Sequence, residues 1–227
     1  MITNFQRKIC HQGQDYYFRS IGEREKGSFN DYIKSHPLGN VFQSFEWGEL
    51  KKKQGWAPYR LVLEKEQETK GAVTLLKKGH QIFPMLYSPR GPIVDFANKD
   101  SFSPLVKGIK EFVKVERAVF WKIDPELPVK EKYNVEFGTE FYYAGKKERF
   151  GGIQPQSVWR IPLQDREYSY KNIKKSGRRQ IKIAEEAGIK IRQGKREDLK
   201  YFYDTLVETA NRNNFALRSF KYYEDMW

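Results

Sequence analysis

The sequence predicts an α/β protein with a mixed sheet, divided into two units. Three observations carry that prediction. Short alternating apolar runs such as PYRLVLE and GAVTLLKKG sit between helical stripes. Hydrophobic residues make up 39% and aromatics 15% of the 227 residues, enough for a packed core and unlike the aromatic-poor composition of disordered chains. A Gly/Pro break, GGIQPQ at Gly151–Gln156, then interrupts the pattern.

Taken in order, Ser28–His36 (SFNDYIKSH) reads as a short helix stopped by Pro37-Leu38-Gly39. A second helix is expected over Glu46–Lys53, with Ser44 near its N-cap, Gly55 as its stop, and Phe42, Phe45 and Trp47 wedging it into the core. Pro58–Glu64 follows with Tyr59, Leu61 and Leu63 alternating, then Gly71–Gly79 across the polar turn Glu66–Thr69, then His80–Pro89. Such alternation predicts antiparallel strands with one covered face. In Ser101–Lys114 a helical stripe of Leu105, Ile109 and Phe112 is followed by a strand run at Ala118–Asp124. A further helix is expected near Val129–Phe137, leading to FYYAG at Phe141–Gly145. Beyond the Gly/Pro break come a strand at Ser157–Leu163, a basic helix, a strand at Ile189–Gln193, and a helix near Glu197–Asn211. Lys221–Trp227 opens one more helix. The boundary is placed so that residues 1–154 form the first domain and 155–227 the second, whose elements read as unfinished. This second set is a distant echo of the first at most.

With 42 Lys+Arg against 29 Asp+Glu, the net charge is +13. Such a field favours polyanions: nucleic acid, a membrane surface or phosphorylated ligands. A single cysteine, Cys10, excludes a disulfide framework and a Cys-based zinc site. His11, His36 and His80 are scattered without metal spacing, so neither metal nor nucleotide cofactor is expected. Neither a P-loop nor a dinucleotide fingerprint occurs. The turn that grips the pyrophosphate of CoA in ordinary acetyltransferases is missing as well. The amino terminus lacks the apolar core of a signal peptide, and no run reaches the roughly 18 apolar residues of a membrane span. A cytoplasmic protein is expected, touching a membrane only peripherally.

The strongest charge signal lies between Lys171 and Arg196, where ten Lys/Arg meet only Glu185 and Glu186. Read as one helix, Lys171, Lys174, Lys175, Arg178, Arg179 and Lys182 fall on one side, and Ile173, Gly177, Ile181, Ala184 and Ala187 on the other. The apolar side would dock and the cationic side would face a phosphate-bearing partner.

Five tracts in order give the chain a family likeness: QSFEWGELKKKQGW, YSPRGPIVD (Tyr87–Asp95), IDPE (Ile123–Glu126), RRQIKIAEEAGIKI and FYDTLVETANRNNFALRSFKYYEDM. Together they resemble the FemABX peptidyltransferases, which build the interpeptide bridges of bacterial peptidoglycan. The resemblance implies tandem GNAT-like domains, the first complete and the second partial. It also implies transfer of an amino acid from aminoacyl-tRNA to an amine of a UDP-linked or lipid-linked muropeptide, without cofactor. On the family pattern the lysine four residues after the signature tryptophan, Lys51, contacts the precursor, as do Arg218 and, four residues on, Tyr222. Arg90 in the PRGP turn is added as an anion-binding candidate by chemistry. Lys174, Lys175, Arg178, Arg179 and Lys182 are the candidates for tRNA. Val119 stands where some relatives carry a ligand-contacting tyrosine. The family's second domain continues past the point matching Trp227, so activity of the 227-residue form is in question, and no catalytic residue is assigned. Two other functions fit the residues: an RNA-binding module using the basic helix alone, and a GNAT-type acyltransferase with another acyl donor.

Overall fold

The computed structural model describes residues 4–79, 83–127, 141, 154–155, 157–162 and 164–227. They form two compact units, Met1–Gln154 and Pro155–Trp227.

In the first unit a hairpin of β1 (Gln6–His11) and β2 (Gln14–Ser20) precedes α1 (Lys26–Ser35) and α2 (Phe45–Lys53). Then come β3 (Ala57–Lys65), β4 (Glu68–Lys78), β5 (Met85–Ser88), α3 (Lys99–Val115) and β6 (Phe120–Ile123). The six strands lie side by side in chain order. Neighbours are antiparallel up to β5, whereas β6 runs parallel to β5 with Met85 opposite Phe120. A parallel neighbour needs a crossover, and α3 supplies it. The α/β class with a mixed sheet is therefore what the chain adopts.

The sheet differs from expectation in two ways. First, the β1–β2 hairpin has no counterpart in the sequence reading. Its turn has Gln12 at φ 49° and Gly13 at φ 74°, the double positive φ that joins twisted strands through two residues. Second, the central strands β3 and β4 are covered on both faces, not one, while β1 and β2 alternate buried and exposed residues as expected for a single covered face. Tyr59, Leu61, Leu63, Val73 and Leu75 pack on one face with Leu105, Ile109 and Phe112 of α3. Val62 and Ala72 point the other way, against Phe29 and Ile33 of α1 and Phe45 of α2. β3 and β4 are thus buried along nearly continuous runs, as strands covered on both faces are.

The second unit contains α4 (Arg166–Asn172), α5 (Lys175–Glu186), α6 (Leu199–Asn213) and α7 (Phe220–Met226). Neither expected strand forms: the described residues of 157–163 and residues 189–193 have no ladder partner. A strand exists only through its neighbour's hydrogen bonds, and without one Trp159 is 90% and Ile191 97% exposed. The basic helix is also broken. Ile173 and Lys174 are extended (ψ 134° and 149°), which separates α4 from α5. The helix expected near Val129–Phe137 lies outside the described residues, as does FYYAG apart from Phe141.

Candidate functional site

Lys51 stands in the last turn of α2, and the sequence builds that helix as expected. Ser44 Oγ accepts the Trp47 N–H at 3.2 Å, and Gly55 at φ 76° ends the helix. Arg60 of β3 pins α2 to the sheet. Its guanidinium lies 3.9 Å from the Phe45 ring centroid and donates to the Phe45 carbonyl at 2.7 Å and to Glu49 at 2.9 Å. Burial pulls the Arg60 pKa down, and Glu49 opposes that pull. On the half-buried side of α2 the Lys51 ammonium sits 4.7 Å from the centre of the Trp47 ring, which in turn packs 4.5 Å from Phe42. Lys52 and Lys53 are exposed.

Ahead of α2, Gln43 is fully buried. Its amide oxygen accepts from the Thr74 N–H at 2.8 Å, its amide nitrogen donates to the Pro89 carbonyl at 2.7 Å, and Thr74 Oγ1 donates to the Gln43 carbonyl at 2.7 Å. One side chain thus joins the start of α2, the middle of β4 and the turn carrying Arg90. The turn comes so close that a Cβ on Gly91 would lie 2.4 Å from Gln43, so only glycine fits there. Nothing in the linear sequence marks Gln43 for this task, because its partners lie 31 and 46 residues away.

Arg90 is placed inside the fold, 6% exposed, with φ 54° and its Nε 4.0 Å from Glu126. Asn40 donates to the same carboxylate at 3.1 Å. The Arg90 backbone N–H donates to Asp124 Oδ1 at 2.7 Å, and Tyr87 Oη donates to Asp124 Oδ2 at 2.7 Å. Burial raises the Asp124 pKa, while Tyr87 and the Arg90 N–H act against it. Tyr87 is pushed up by burial and then by its bond to Asp124. The result is a desolvated, hydrogen-bonded carboxylate at the carboxyl end of the parallel pair β5–β6, with an arginine turn closed over it. The IDPE tract contributes Asp124 and Glu126, and their link to the PRGP turn is visible only in three dimensions.

In the second unit the Arg218 guanidinium lies 5.6 Å from the Tyr222 ring centroid. The Arg218 carbonyl accepts from Tyr203 Oη at 3.2 Å. Tyr222 has its pKa raised, chiefly by burial. At the N-cap of α5 and along it, Lys174, Lys175, Arg179 and Lys182 are exposed, while Gly177, Ile181 and Ala184 are half-buried and Ala187, expected with them, is exposed. Arg178 differs from the others. Its Nη1 donates to the carbonyls of Ile173 at 2.8 Å and Lys171 at 3.1 Å, closing the carboxyl end of α4. Lys171 belongs to α4 and pairs with Glu167 at 2.7 Å. Among the described residues no group of three or more His, Cys, Asp or Glu could hold a metal ion, and no helix is long and apolar enough to cross a membrane.

The crystal structure of FemX matches with a TM-score of 0.77 at 26% identity, over 88% of this chain and 52% of FemX. The mixed sheet accords with a partial GNAT-like arrangement. The lipid II:glycine glycyltransferase of Staphylococcus aureus is 30% identical over 210 residues, 86% of this chain and 48% of the relative. The version from the bovine strain RF122 / ET3-1 matches over the same spans. The chain therefore spans about half the length of the curated relatives it matches. A family model described as the FemAB family matches residues 25–227, a span that includes α2 with Lys51, the Arg90–Asp124 cluster and α7, and on that match the chain belongs to the FemAB family.

Proposed function

We propose that the chain serves in the synthesis of peptidoglycan interpeptide bridges, as an aminoacyltransferase or the precursor-binding part of one, in the cytoplasm and with peripheral access to the membrane. The carrying observation is its 30% identity to a lipid II:glycine glycyltransferase over 86% of its length. In the reaction, an amine of the stem peptide attacks the ester carbonyl of aminoacyl-tRNA. The ester C–O bond breaks, an amide forms, and the terminal ribose hydroxyl regains a proton in exchange for the one lost by the amine. The ester supplies the activation, so the protein's share is orientation and charge placement.

Lys51, Arg218 and Tyr222 are assigned to the precursor, whose diphosphate and carboxylates suit charge-assisted donors. Arg90 is kept as a fourth contact, through the turn that it holds over Asp124. The exposed cations at the start of α5 and along it (Lys174, Lys175, Arg179, Lys182) are assigned to tRNA phosphates, with Arg178 shaping the corner between α4 and α5. The two compact units are read as tandem GNAT-like domains, 1–154 and 155–227.

Titration calorimetry with a UDP-linked muropeptide tests the assignment. The parent chain binds, and Lys51→Ala and Arg218→Ala each weaken binding about 10-fold, the loss of one charge-assisted contact. Equal affinity in both variants ends the site assignment. Salt-sensitive RNA binding with no response to muropeptide favours the RNA-binding module instead, and CoA binding favours another acyl donor.

A further inference from the structure

The two units carry a common local plan. In the first, a one-turn 3-10 helix at Glu23–Glu25 is closed by Glu25, which accepts the Gly22 N–H at 3.3 Å, and it leads into α1. In the second, a turn at Arg196–Asp198 is closed by Asp198, which accepts the Lys195 N–H at 2.7 Å, and it leads into α6. Each long helix is followed by a loop and then a Ser-Phe helix start, Ser44-Phe45 and Ser219-Phe220. The two serines have nearly the same backbone angles, φ −64° and ψ 158° against φ −63° and ψ 156°. In this register Trp47 corresponds to Tyr222.

Both aromatics carry a cation on the ring: Lys51 at 4.7 Å on Trp47, and Arg218 at 5.6 Å on Tyr222. The cation is supplied from four residues after the aromatic in one unit and four residues before it in the other. The ring at this helix position is the shared feature, and the source of the charge is not. A purely space-filling tryptophan accounts for the packing on Phe42 but not for a cation on both rings.

We infer that Trp47 is a positioning residue that fixes the Lys51 ammonium for an anionic oxygen of the precursor; the inference rests on the proposed role of Lys51. Trp47 and Lys51 are an i, i+4 pair and so share one face of α2. The indole Nε1 is buried and finds no acceptor among the described residues, so packing sets the ring's orientation, with Phe42 against it. A lysine stem has large rotamer freedom, and ordering it before the ligand arrives lowers the cost of binding.

A double-mutant cycle on UDP-muropeptide affinity tests this, with thermal melts on every variant. Trp47→Leu keeps an apolar side chain but removes the ring's quadrupole, and should weaken binding about 5-fold, while Trp47→Phe stays within about 2-fold. In a Lys51→Met background, Trp47→Leu should add nothing. Additive losses overturn the inference and leave the Lys51 assignment standing. A Lys51→Met chain that binds like the parent overturns both. A second measurement needs no substitution at Trp47: in reductively 13C-methylated protein, the Lys51 methyl resonances should be shifted upfield of those of Lys52 and Lys53 by the indole ring current before any ligand is added. Coincident resonances refute the inference.

Discussion

The helices that begin at Ser44 and Ser219 share a start and part ways one residue earlier. Gln43 precedes the first, fully buried and bonded to β4 and the PRGP turn. Arg218 precedes the second, exposed and resting on Tyr222. Local sequence is enough to start a helix in both places, through a serine in extended geometry and a following aromatic. What differs is the presence of a sheet. In the first unit Phe29, Ile33 and Phe45 close on Val62 and Ala72, whereas in the second Phe202 is 52% exposed and Ala210 is the one buried apolar residue among those described. Helices of this length gain most of their stability from packing, so the first unit should carry the chain's cooperative unfolding.

The largest test of that contrast is core truncation. Phe112 is fully buried, with edge contacts to Phe5 and Tyr59 at 5.0 Å each. Phe112→Ala should cost about 4 kcal/mol in urea unfolding, and Phe202→Ala less than about 1 kcal/mol. Comparable losses would show that the second unit has a core of its own.

Next in size is the position that the comparison turns on. Gln43→Leu leaves the Thr74 N–H and the Pro89 carbonyl buried without partners and should cost roughly 3 kcal/mol, whereas Arg218→Leu should stay within about 0.5 kcal/mol. Helix capping comes third. Ser44→Ala removes the Oγ bond to the Trp47 N–H and should cost about 1 kcal/mol. Ser219 makes no such side-chain bond, so Ser219→Ala should cost a few tenths of a kcal/mol at most.

What the sequence made legible follows the same division. The Ser44 cap, the Gly55 stop and the stripe of Leu105, Ile109 and Phe112 are local or periodic signals, and each is found in the structure. The alternation of Tyr59, Leu61 and Leu63 is visible too, but not the cover over Val62 and Ala72, because an apolar residue does not announce which helix will meet it. The described residues of 157–163 and Ile189–Gln193 have the composition of strands without a ladder to join, which propensity alone cannot report. The candidate site divides likewise. Lys51 and Arg218 come from motif likeness, while the burial of Arg90 and its tie to Asp124 come from residues 34 positions apart. The break at Ile173-Lys174 is sealed by Arg178, a residue that the phase of a single unbroken helix placed with the outward cations.

The smallest expected effect is a difference in pH response. His36, at the end of α1, is half-buried, its Nδ1 accepts the Leu38 N–H at 3.1 Å, and the Tyr32 ring lies 5.9 Å away. Burial is the main influence and lowers its pKa below the ordinary 6.5, with Asp95 pulling the other way. As pH falls through 6.5 the unfolded chain therefore takes up a proton before the native state does, and stability declines until the lowered native value is reached. In the second unit Asp198 is shifted for another reason, its charge being met by Arg192 and by the Lys195 N–H, which hold its pKa below the ordinary 3.8. Its contribution is present above 3.8 and is lost only as pH falls below that. Urea midpoints from about pH 7.5 to about pH 5.5 separate the two, since this window brackets an ordinary histidine and lies above an ordinary aspartate. His36→Gln should flatten the decline by less than one proton's worth of slope, and Asp198→Asn should leave the slope as in the parent. An unaltered slope in His36→Gln would mean that the imidazole is as well solvated in the first unit as the charges of the second, and that this part of the contrast between the units does not hold.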